Sequence, residues 1–150
     1  MRLDVILRVA SKLMIPFIML FAIYVQFHGH YSPGGGFQAG VIIAAAVILY
    51  AIVFGISEAL RVMPRSAVEF MVPLGVGIYA GTGIVSMLLG RPFLDYDPLL
   101  ADPVEGQYWG VFIVEVGVLV TVAGAMLAIF YAFALRGRAA RHGQEQAERS

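Results

Sequence analysis

Long apolar runs separated by short polar stretches dominate the chain, and they read as four membrane-spanning helices. The first runs from about Val5 to Phe27, with Arg8 and Lys12 in its opening turns, where long basic side chains snorkel to the headgroups. The second covers Phe37 to Ile56 with no charge inside it, and twenty residues at ~1.5 Å each match the ~30 Å of a hydrocarbon core. A connector bearing Glu58, Arg61, Pro64 and Arg65 leads to the third, Val68 to Leu89, which opens with Glu69 and has Pro73 one turn inside. The loop from Gly90 to Gln107 is too rich in proline for a regular helix. The fourth span runs from Tyr108 to Phe133, with Tyr108 and Trp109 at one end and Tyr131 and Phe133 at the other as expected interfacial anchors. The fold class is therefore all-α, a four-helix transmembrane domain over 1–135 with no soluble domain, followed by a charged tail over 136–150 that is frayed or forms a short helical extension. Although the start is basic and then apolar, no small-residue cleavage signal follows Tyr24, so the first span is expected to be retained.

Composition agrees: 60% of the 150 residues are hydrophobic and 13% are charged. The chain has no cysteine, which excludes thiolate chemistry, disulfides and cysteine-held metals, and no basic patch interleaved with aromatics speaks for nucleic acid. Charge placement fixes an expected topology. Arg2, Arg8, Lys12, Arg61, Arg65, Arg136, Arg138, Arg141 and Arg149 fall on one side and Arg91 alone on the other, so both termini are expected in the cytoplasm, N-in and C-in. The acidic loop then faces outward, and Glu58 and Glu69 are expected to form interfacial ion pairs with nearby arginines.

Small residues mark the packing surfaces. Gly77 and Gly81 have the G-x-x-x-G spacing, and Gly110, Gly117 and Gly124 recur every seven residues along the last span; both patterns favour close helix approach in lipid. The least generic stretch joins the first two spans: Pro33, Gly34, Gly35, Gly36, Phe37 and, further on, Gly40. A plain connector needs fewer glycines, so the sharper reading is a packed loop that lets the backbone of a partner approach. The glycine pattern also mimics a dinucleotide fingerprint, but no strand precedes it and a membrane helix follows.

Three positions carry candidate chemistry. Glu115 lies about 10 Å into the last span, at a depth where acids are costly and usually functional. It reads as a proton or cation relay, as the partner of a cation on another subunit, or as a carboxyl kept neutral by desolvation. Because Gly117 is two positions on, Glu115 points away from the glycine seam, towards a different neighbour. His28 and His30 read as interfacial histidines satisfied by water or loop carbonyls, or as surface proton acceptors; no metal set surrounds them. Nothing supports catalysis or a cofactor, and one buried acid in four spans is thin for a self-sufficient transporter.

Gly29-His30-Tyr31-Ser32-Pro33-Gly34-Gly35-Gly36-Phe37-Gln38-Ala39-Gly40 resembles the G-H-x-x-P-G-G-G-F-x-x-G signature of the B subunit of Mrp/Mnh-type multisubunit Na⁺/H⁺ antiporters. Val5-Ile6-Leu7-Arg8, Pro16, the alanine-rich second span and Gly110 to Gly124 are similar to that family too. The resemblance implies a non-catalytic accessory subunit in the inner (plasma) membrane. Its partners would be the other membrane subunits of a hetero-oligomer that exports Na⁺ in exchange for H⁺. It also matches Glu115-Val116-Gly117 to an acid that family members carry in the last span. Two rivals stay open: the equivalent subunit of a membrane-bound hydrogenase complex, and an autonomous small transporter or channel.

Overall fold

The computed structural model describes residues 2–29, 33–97 and 102–147. Among these the chain is all helix: α1 (Arg2–Phe27), α2 (Gly36–Phe54), α3 (Ile56–Val62), α4 (Arg65–Leu88) and α5 (Pro103–Ala147). All but α3 contain a segment long and apolar enough to cross a membrane. Instead of stopping near Phe133, α5 continues as helix through Ala147, 45 residues in all.

Small side chains decide how the helices meet. α5 is the central element, with α2 and α4 against it and α1 against α2. α2 runs parallel to α5. A side chain on Gly36 would collide with the Glu115 carbonyl, and four residues on, one at Gly40 would come within 2.8 Å of the Leu119 carbonyl. α4 runs antiparallel to α5, and a Cβ at Gly75 would collide with the Thr121 hydroxyl, while one at Gly124 would lie 2.8 Å from Cβ of Met71. Thr121 satisfies its own hydroxyl by donating to the Gly117 carbonyl at 2.9 Å, so the seam is closed without an unpaired polar group. Gly77 and Gly81 meet nothing within 4 Å. Their spacing is right for close packing, but their face of α4 points away from α5, and the positions that α4 uses within this chain are Gly75 and Gly83. The latter lies under the Phe93 ring.

α1 is the outlier. It touches the rest through a narrow stripe that includes buried Ser11, Ala22 and Gln26, while Leu13, Phe17, Leu20 and Phe21 are exposed. Helix-spaced burial at 11, 22 and 26 is one stripe of a helix, far narrower than a globular core demands.

The connector end is held by Tyr131, which is not the interfacial anchor its position suggests. It is 1% exposed, and its hydroxyl donates to the Met63 carbonyl at 3.0 Å, with the Ala59 carbonyl at 3.4 Å. Around it Ala44, Ala51, Ala59, Val68 and Leu127 form the main apolar cluster. Gly55, at φ +99°, makes the corner between α2 and α3 that an L side chain rarely adopts. Glu58 accepts from Arg61 at 2.9 Å and Glu69 from Arg65 at 2.6 Å, and both pairs are largely exposed. Tyr131→Phe removes the hydroxyl that reaches the Met63 carbonyl at the end of α3, while Ala59 keeps the Met63 N–H at 2.8 Å. It is expected to cost about 1–2 kcal/mol and lower the thermal midpoint in detergent; an unchanged midpoint would show that packing alone holds the connector.

At the other end the acidic loop is clipped down. Asp97 accepts from Gln107 at 2.7 Å, Asp102 caps α5 through the Val104 N–H at 2.9 Å, and Arg91 approaches Asp95 at 3.8 Å. Tyr96, 8% exposed, lies across Gly110, so that glycine serves this loop and not a neighbouring helix. Burial first, and Tyr79 second, raise the Tyr96 phenol above its ordinary pKa of 10.0.

Candidate functional site

The glycine turn is folded back on α1. The chain leaves the helix after Phe27, with His28 half-buried and its ring stacked on Tyr24 at 3.9 Å between centroids. Gly35 then donates its N–H to the Val25 carbonyl at 3.2 Å. Its φ of +113° and ψ of −175° belong to a region that essentially only glycine occupies. Gly34 packs as tightly, since a Cβ there would come within 2.8 Å of the same Val25 carbonyl. Gly35, Gly36 and Gly40 are buried, whereas Pro33 and Phe37 are exposed. His30, Tyr31 and Ser32 lie outside the described residues.

The backbone that approaches these glycines is that of α5 in the same chain, not a partner's. A Cβ on Gly36 would collide with the Glu115 carbonyl oxygen and lie 2.7 Å from its carbon. Beside this contact the Glu115 side chain reaches into the turn. Cβ atoms built at Gly29 and at Gly35 would each stand 3.0 Å from Oε1 of Glu115. The carboxyl thus lies against the backbone of two glycines that are themselves neighbours, since the Cβ at Gly29 would also stand 3.2 Å from Cα of Gly35. One turn earlier on α5, Phe112 stacks on Phe27 at 5.3 Å and meets Trp109 edge-on at 5.9 Å. These aromatics lie on the loop side of the carboxyl along α5.

Oε2 of Glu115 is buried and, among the described residues, has no hydrogen-bond partner; the ion pairs formed there do not include it. Such an oxygen is expensive unless a proton, water or cation completes it. Gln26, 5% exposed on the last turns of α1, has both amide atoms buried and unpartnered among the described residues. No group of three or more potential metal ligands occurs there either.

The structure brings Glu115 together with Gly35 and Gly36, and adds Gly29. As the spacing indicated, Gly117 faces elsewhere, onto the Gly75 carbonyl of α4 at 2.9 Å from its would-be Cβ. Gln26 escaped notice in the sequence although an amide within an apolar run was the available signal.

The chain is similar to curated proteins of Staphylococcus aureus named "Putative antiporter subunit mnhB2". Those of strains Newman, JH1 and USA300 are each 34% identical to it over 131 residues, which cover 84% of this chain and 91% of theirs. A family model described as a domain related to the MnhB subunit of Na⁺/H⁺ antiporter matches residues 6–128, most of the four-helix unit. By both criteria the chain belongs to the MnhB family of antiporter-subunit domains.

Proposed function

We propose that this multi-pass membrane protein is an accessory subunit of a multisubunit Na⁺/H⁺ antiporter, and that Glu115 takes part directly in moving the ion or proton. The carrying observation is Oε2 of Glu115, buried beside the glycine turn and without a hydrogen-bond partner among the described residues. An acid at that depth is retained at a cost, and a proton or small cation is the occupant that fits an oxygen walled by backbone. Because the turn meets the carboxyl with glycine backbone, a small displacement of the turn changes access to it without a turn side chain having to swing. The subunit contributes this carboxyl and a scaffold for its larger neighbours, and does no covalent chemistry. Both termini are cytoplasmic in this reading, supported by the arginines and lysine of α1, the connector and the end of α5 against Arg91 alone in the opposite loop.

Two experiments test the assembly. A C-terminally tagged chain, purified in mild detergent, is expected to bring several multi-span antiporter subunits with it. Recovery alone as a stable homo-oligomer would end the subunit reading, and large hydrogenase subunits would redirect it. The native sequence has no cysteine, so single cysteines at Asp95 and Gln144 report topology cleanly. Asp95→Cys is expected to react with an impermeant reagent added outside intact cells and Gln144→Cys only after lysis; the reverse pattern would invert the orientation. Glu115→Gln in the assembled complex tests the role of the carboxyl.

A further inference from the structure

We propose that the cleft between α1 and α2 at the connector end binds the headgroup of an anionic phospholipid. Arg8 and Lys12 lie one turn apart on α1, hence on one face. With Val9, Tyr50, Phe54 and Glu58 they line a cleft of about 370 Å³. Arg8 also borders a second hollow of about 300 Å³, with Leu7, Ile52 and Val53. Among the described residues neither cation has an ion-pair or hydrogen-bond partner. The one acid of the cleft, Glu58, is already engaged by Arg61 at 2.9 and 3.2 Å. Among the described side chains the cleft therefore carries two unneutralised positive charges.

Its other walls are apolar. The Tyr50 and Phe54 rings pack at 4.7 Å, and Val9, Leu13 and Ile52 stand exposed around the cations. A free inorganic anion would use the charges and leave this surface wet. A phospholipid uses both parts, the phosphate meeting the guanidinium fork and the ammonium, the glycerol and first methylenes lying on the rings. The position suits it, since basic side chains a few residues inside a span sit at headgroup depth. The inference does not depend on any role for Glu115.

The test is native mass spectrometry of the purified complex after mild delipidation, titrated with phosphatidylglycerol, phosphatidylcholine or inorganic phosphate. Wild type is expected to rebind phosphatidylglycerol about 30-fold more tightly than the Arg8→Gln/Lys12→Gln complex, and to discriminate against phosphatidylcholine. The exchange variant Arg8→Lys/Lys12→Arg is expected to bind within about threefold of wild type. Should the neutral double variant not accumulate, Lys12→Gln alone is expected to weaken binding about fivefold. Equal phosphatidylglycerol binding by wild type and neutral variants would overturn the proposal. So would displacement of the lipid by millimolar phosphate alone, which would mark a simple anion site. Loss of a neighbouring subunit with lipid retention unchanged would overturn it as well, by assigning the two cations to an acidic protein surface.

Discussion

Gly36→Ala is expected to prevent stable folding of the subunit and to deplete the assembled complex, although it adds one methyl group. In an isolated helix the same change would help by about 1 kcal/mol, because alanine orders at less entropic cost than glycine. Here the methyl group meets the carbonyl oxygen and carbonyl carbon of Glu115, both backbone atoms of α5. No rotamer relieves that overlap. α2 would have to back away from α5 along the seam that continues through Gly40 against Leu119 and Val122. Overpacking of this kind costs about 1–3 kcal/mol where side chains can yield, and more where only backbone can. Gly77→Ala is the matched control, since its Cβ would meet nothing within 4 Å and the residue is already helical. Membrane levels of the two variants, followed by recovery of partner subunits, measure the difference. Wild-type assembly by Gly36→Ala would mean that the turn and α5 are not in contact in the working complex.

Glu115→Gln is expected to lower Na⁺/H⁺ antiport at least about tenfold while the complex still assembles. The amide has the shape of the carboxyl, so the packing against Gly29 and Gly35 is kept and only the ability to exchange a proton or bind a cation is lost. Glu115→Asp preserves the acid but withdraws it by about 1.5 Å, one carbon–carbon bond, and is expected to retain partial activity. Antiport by inverted vesicles, normalised to assembled complex, gives the comparison. Wild-type rates from Glu115→Gln would reduce the residue to a packing role; loss of assembly in Glu115→Gln but not Glu115→Asp would show that the charge serves structure.

Much of the architecture is visible in one dimension because lipid demands uninterrupted apolar length, and four such lengths are present. Glu115 and the glycine turn also stand out separately, one as a costly charge and the other as a costly backbone. That they meet each other is not visible. About eighty residues separate them, and nothing in either stretch encodes whether the approaching backbone is the chain's own. The glycine spacings show the same limit. Gly77 and Gly81 look like a packing motif and pack on nothing in this chain, while Gly75, which belongs to no motif, closes on Gly117 and Thr121. Spacing selects a helix face, but only the neighbour's position decides which face is used. Tyr131 looks like a belt residue by its place near the end of a span. Its burial arises because α3 folds back across it after the left-handed corner at Gly55.

The unbroken length of α5 gives this small subunit mechanical reach. From Glu115 to Ala147 the helix extends about 48 Å without a proline, more than the thickness of the hydrocarbon core. A stiff rod of that length acts as a lever with its short arm at the carboxyl. A tilt of about 5° there would sweep the far end through about 4 Å, large enough to engage or release a charged contact. Any tilt of α5 that begins beside the glycine turn would thereby be carried to its arginine-bearing end.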